Sequence, residues 1–172
     1  MSELADRLRR VPQRGEIAWI GLRPGHDEAM IQPHEARAIV SRGLEGDRAS
    51  RASRGGKRQV TLIQAEHLPV IASLVGRTAL EPALLRRNLV VRGVNLVSLK
   101  GLRFRIGLEV VLRGTGPCEP CSKMDRALDD GGFHAMRGHG GITARVLRGG
   151  VLRIGDSVWV DDDLSIDSDE PE

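Results

Sequence analysis

The sequence predicts a mainly β fold, a barrel or sandwich plugged by a few short helices. From residue 88 onward, short apolar runs recur every eight to twelve residues, with glycine in the turns between them. The regular strand–helix alternation of a doubly wound fold is absent. Rings are scarce: Trp19, Phe104, Phe133 and Trp159 are the whole aromatic set, with no tyrosine. Val, Leu, Ile and Ala must therefore do the packing. At 172 residues the chain fits one domain, long enough to bury a core without disulfide staples.

Local signals justify each element in turn. Residues 1–14 read as a short helical lead ending at Pro12, ahead of a domain spanning 15–160. "EIAWIGLR" (16–23) alternates like a half-buried strand, and "PGHD" turns the chain. "ARAIV" (36–40) is a second strand running into the glycine-rich turn "RGLEGDR" (42–48). "RASRASRGGKR" (48–58) has no apolar period and several bases, so a mobile surface loop is expected. "QVTLI" (59–63) is a β-branched strand, and "QAEHLPVIASLVG" (64–76) a helix closed by Gly76. "PALLRRN" (82–88) is a helical turn with Pro82 near its start. "NLVVRGVNL", "FRIGLEVVLRGTG" and "TARVLRGGVLRIGDSVWV" supply the remaining strands. Residues 161–172 carry seven acids and no base, and a disordered tail is expected there.

The net charge of +3 conceals a split, because residues 1–160 hold 26 bases against 16 acids. Lysine occurs only at 57, 100 and 123, so this charge is mostly arginine, whose planar fork suits phosphates and carboxylates. Missing rings argue against a stacking platform for nucleic acid. No apolar run approaches the roughly 20 residues of a membrane span. "MSELADRLRR" is too charged for a signal peptide's apolar region, and two cysteines make no disulfide framework. A cytoplasmic protein with reduced thiols is expected.

The stretch "CEPCSKMDRALDDGGFHAMRGH" (118–139) carries the chemistry. Cys118, Cys121, His134 and His139 have the C-x2-C-x12-H-x4-H spacing of a zinc finger. Yet a finger needs large apolar residues where this chain has Asp125 and Gly131, and "DDGG" breaks the required helix. A zinc-stapled nucleic-acid binder is thus a remote alternative. Thiol redox of the C-x-x-C kind belongs to a βαβ context, which is absent. "EPCSKMDRAL" reads as a helix start, with Pro120 at the first position and Cys121 in the first turn. Lys123 and Arg126 nearby would favour its thiolate, the form that a soft metal or sulfur transfer requires.

Two blocks make the reading specific. "RRNLVVRGVNLVSLKGLRFRIGLEVVLRGTGPCEPCSKM" followed by "GHGGITARVLRGGVLRIGDSVWV" resembles a MOSC domain, the family named for the C-terminal part of molybdenum cofactor sulfurases. "IAWIGLRP" and "GLEGDR" match the same family in order, so the resemblance runs from about Glu16 to Val160. It implies the MOSC β-barrel, similar to the barrel domain of pyruvate kinase. The family's "PC", polar or aromatic, base, apolar motif is "PCSKM" here, which singles out Cys121 as the molybdenum ligand or sulfur carrier. "RRN" corresponds to the family's Arg-x-Asn segment along the pterin and its phosphate, giving Arg86 and Asn88. Arg87, Lys123 and the turn residues Gly46, Asp47 and Arg48 are expected beside them, as amide and cation donors to an anionic cofactor. His139, in a glycine-rich loop, is expected to deliver a proton. The amidoxime-reducing relatives carry a lysine where this chain has His26.

The resemblance implies the molybdenum cofactor (molybdopterin) and reduction of N-hydroxylated compounds. Two cysteines hold no four-thiolate cluster, so electrons would come from a separate flavin or iron–sulfur partner. The alternative is a carrier of persulfide or cofactor, with pyridoxal phosphate entering only through a partner desulfurase.

Overall fold

The computed structural model describes residues 2–52, 55–161 and 163. Helix α1 (Glu3–Arg9) is capped by Ser2, whose Oγ accepts from the Ala5 N–H at 3.3 Å. Strand β1 (Gly15–Ile20) follows, then β2 (Glu35–Ile39) and the two-residue β3 (Gly43–Leu44). Strand β4 (Val60–Gln64) leads into helix α2 (His67–Leu74), and β5 (Leu89–Arg92) returns beside it. Strands β6 (Arg103–Ile106) and β7 (Val110–Pro117) form a hairpin, followed by helices α3 (Lys123–Leu128) and α4 (Gly132–Met136). Strands β8 (Ile142–Arg148), β9 (Gly150–Arg153) and β10 (Ser157–Trp159) complete the chain.

Seven strands close a barrel in the order β1-β10-β6-β7-β8-β4-β5, and β3-β2-β9 form a separate sheet. Closure removes the exposed edges that an open sheet would leave unpaired. The two-residue period sorts side chains between two cores. Leu62, Leu89 and Val91 point into the barrel with Phe104, while Ile63 and Val90 point out to a second cluster. That cluster includes Ile71 of α2, Leu85, Met124 and Leu128 of α3, and Met136 of α4. The helices therefore cover the outer face of β4 and β5.

Several elements differ from the sequence expectation. β4 and β5 pair in parallel, Leu62 beside Leu89, so the helix expected as a plug is the crossover between them. The basic stretch 48–58 is not loop throughout: Arg48–Arg51 is a 3-10 turn capped by Asp47. Ser53 and Arg54 of that stretch lie outside the described residues. Helix α3 begins at Lys123, so Cys121 precedes it, and the Cys121 carbonyl accepts from the Met124 N–H at 3.0 Å. The break at "DDGG" is real, but the chain resumes helix as α4. The acidic tail, apart from Asp161 and Asp163, lies outside the described residues. Among the described residues, no helix is long and apolar enough to cross a membrane.

Candidate functional site

A cleft of about 540 Å³ opens between α3, the 3-10 turn Pro82–Leu85 and the loops after β1 and β3. Its floor is a buried polar network. Arg23, just past β1, donates from its backbone N–H and Nε to Asp47 Oδ1 at 2.8 and 3.0 Å, and from Nη2 to Oδ2 at 2.8 Å. Asn88 Nδ2 donates to the same Oδ1 at 2.9 Å, and the Ala49 N–H to Oδ2 at 3.0 Å. Asp47 thus accepts five hydrogen bonds while fully buried. Burial alone would raise its carboxyl. The Arg23 hydrogen bonds and charge, with the backbone N–H groups of Arg23 and Ala49, prevail and hold it below its ordinary value.

Asn88 completes the floor. Its Oδ1 accepts from the Thr61 N–H and Oγ1 at 3.0 and 3.1 Å, and its Nδ2 also donates to the Gly21 carbonyl at 3.1 Å. Asp47 and Asn88, expected to line the pocket, have their polar atoms engaged within the protein. They lock β1, β4 and β5 together beneath it. Gly46 serves the same turn, with φ at +84°, a conformation glycine adopts without steric cost.

The walls carry the charge. Among the described residues, seven cationic side chains line the cleft against one carboxylate, Asp27. Arg86, Arg87, Arg48 and Lys123, all expected from the sequence, are among them. Arg86 holds a left-handed backbone, φ +53° and ψ +34°, uncommon outside glycine. Its Nη1 and Nη2 donate to the Glu28 and Gly25 carbonyls at 2.7 and 3.0 Å, pinning the loop that forms one wall. Arg87 is only 5% exposed; its Nε donates to the Gly140 carbonyl at 2.9 Å and its Nη1 to the Leu85 carbonyl at 2.8 Å. Burial pulls the Arg87 guanidinium below its usual range. The charges of Arg58 and Arg23 add to this, while interaction with Cys118 and Cys121 acts against it.

Cys121 is exposed and lines the cleft, whereas Cys118 is buried outside it. His139 is not brought to Cys121. Its Nδ1 lies 3.0 Å from the Ala135 carbonyl, and its ring stands edge-on to His67 with centroids 5.3 Å apart. The imidazole that does face the cleft is His26, in contact with the Arg48 guanidinium. The four zinc-finger positions do not assemble either. Among the described residues, no three His, Cys, Asp or Glu side chains gather as metal ligands.

Sequence reasoning missed Arg23 and Arg58 as cleft residues, and named Arg126 only as a cation near Cys121 and not as a cofactor-binding residue. Arg126 had a signal, three residues after Lys123 on the same helical segment. Arg58 lay in the stretch dismissed as loop, and nothing local distinguishes Arg23 from a surface arginine.

A family model for the MOSC domain matches residues 49–159. The chain belongs to the MOSC family. No curated protein matches it. Among solved structures, the YuaD protein from Bacillus subtilis is similar over 87% of this chain and 97% of its own, at 21% identity and a TM-score of 0.72. YiiM from Geobacillus stearothermophilus is similar over 86% of this chain and 75% of its own, at 18% identity and a TM-score of 0.65. YiiM from Escherichia coli gives 86%, 70%, 21% and 0.64 for the same quantities. At these identities the likeness shows that the MOSC fold is shared. The cationic cleft around Cys121 is then a property of this chain's own residues on that fold.

Proposed function

We propose that this MOSC protein binds the molybdenum cofactor in the cleft through Cys121 and reduces N-hydroxylated compounds. Electrons would come from a separate flavin or iron–sulfur partner. The observation that carries this reading is one exposed thiol ringed by cations in a cavity of about 540 Å³. The donor set suits the group: a pterin dithiolene with a terminal phosphate is an anion that needs a soft metal ligand and guanidinium forks. The volume falls within the range of about 300–1,000 Å³ usual for small-molecule sites.

When bound, the cofactor supplies a metal that accepts an oxygen atom from the substrate. The chain's own residues do the rest. Cys121 offers the sulfur that ligates the metal. Arg87, with Nη2 bonded to nothing else among the described residues, holds an anionic group at the buried end. Arg58, Lys123 and Arg126 draw the anion in at the rim. Arg86 fixes the 25–28 loop, and His26, which lines the cleft from that loop, would donate a proton in place of His139.

The test is expression in a host that makes the cofactor, with metal analysis and fluorescence of the oxidised pterin. Molybdenum should be lost in Cys121→Ser and kept in Cys118→Ser. Turnover of a hydroxylated purine or an amidoxime with an artificial electron donor should follow the metal. Molybdenum without turnover would favour the carrier reading, to which the exposure of Cys121 also lends itself. Wild-type protein with neither metal nor pterin would overturn both.

A further inference from the structure

A second cavity, of about 370 Å³, adjoins the segment that carries Cys121 and shares no lining residue with the cationic cleft. Its floor is buried, with Cys118 at 2%, Met136 at 0% and Ile142 at 1% exposure. Pro117, Pro120 and Val97 add apolar wall. Bare backbone makes up the remainder, at Gly138, Gly140 and Gly141. A Cβ on Gly140 would come within 2.5 Å of the Cys118 carbonyl, and one on Gly141 within 1.8 Å of the Leu62 carbonyl. These glycines let the loop pack tightly against its neighbours, so the hollow has a fixed wall.

Among the described residues, only two charged side chains reach the cavity, Lys100 and Glu119. Both residues are exposed, and neither side chain makes a hydrogen bond or ion pair among the described residues. The Arg87 guanidinium stands behind the wall, its Nη2 3.4 Å from where a Gly140 Cβ would lie. The lining itself sets one cation against one carboxylate, and the Arg87 guanidinium behind the wall adds positive charge. An apolar hollow with one convergent charged group is how a small ring compound is held and oriented.

We infer that this cavity is a second ligand site, taking a one- or two-ring aromatic compound with a single anionic group. The rings lie against Met136, Ile142 and Pro117, and the anion meets Lys100. At about 370 Å³ the cavity is near the small end of ligand sites, which excludes larger occupants.

Naphthoate is the probe, titrated into the full chain and followed by its fluorescence, with no requirement for molybdenum. A failure here therefore leaves the reading of the cationic cleft untouched. Saturable binding at one site is expected. Lys100→Glu should weaken it about fivefold, the size of a surface ion pair. Val97→Trp should abolish it by filling the mouth, at a position 61% exposed and outside the core. Arg126→Glu, in the other cavity, should leave it unchanged. No saturable binding would overturn the site. Loss with Arg126→Glu but not with Val97→Trp would move the probe to the cationic cleft and overturn it equally. Naphthol bound as tightly as naphthoate would overturn the anionic class.

Discussion

At the floor of the cationic cleft, Arg23 is bound to Asp47 through three hydrogen bonds and the pair is buried. At its rim, Arg58, Lys123 and Arg126 make no side-chain hydrogen bond or ion pair among the described residues. The same kind of charge therefore has two uses. The buried Arg23 charge has lost its water and is compensated within the protein by Asp47, so it serves the fold. Exposed cations keep their water and stay available to an anionic ligand. Counting arginines does not separate the two groups.

The comparison breaks most visibly at Asp47. Asp47→Ala leaves Arg23 buried without its counter-charge and should cost about 3–5 kcal/mol, read from the denaturant midpoint. Its pH signature follows from the depressed carboxyl. The stabilisation is present above the unfolded value of 3.8 and lost as pH falls through the lower folded value. Asp47→Ala should therefore flatten the stability profile below that pH. An unchanged midpoint would show that the floor network is dispensable.

Gly141→Ala should have an intermediate effect. Its Cβ would meet the Leu62 carbonyl at 1.8 Å, and its φ of +84° is strained for alanine. A loss of about 1–3 kcal/mol is expected as backbone shifts to make room. Thermal unfolding at the wild-type midpoint would show that the loop yields freely.

The rim should respond least in stability and most in binding. Lys123→Glu with Arg126→Glu should change stability by no more than about 0.5 kcal/mol, as surface substitutions usually do. The same pair should sharply weaken pyrophosphate binding, measured calorimetrically at low salt. A destabilised double variant that still binds pyrophosphate would invert the distinction between floor and rim.

Much of the fold was readable along the chain. The alternation in "EIAWIGLR" placed β1, and the stretches "NLVVRGVNL" and "FRIGLEVVLRGTG" located the regions of β5, β6 and β7. The parallel pairing of β4 with β5 was not readable, because a two-residue period reports which face is buried and not which strand lies beside it. The start of α3 was placed three residues early, since Pro120 permits a helical start without imposing one. Within the site, the "PCSKM" motif singled out Cys121, which the structure finds exposed in a cationic cleft. His139 was expected there on nearness in sequence. The α4 turn between them carries it instead to His67.

Local periodicity, turn glycines and the excess of arginine were enough to determine a mainly β fold with a strongly basic body, and the family resemblance chose the barrel over the sandwich. The local signals are properties of neighbours along the chain, where sterics and solvation act within a few residues. Tertiary structure decided which arginines are neutralised and which remain free. Arg23 meets Asp47 across 24 residues and Asn88 across 65. Coulomb energy and hydrogen bonding depend on distance through space, and only the closed barrel sets those distances.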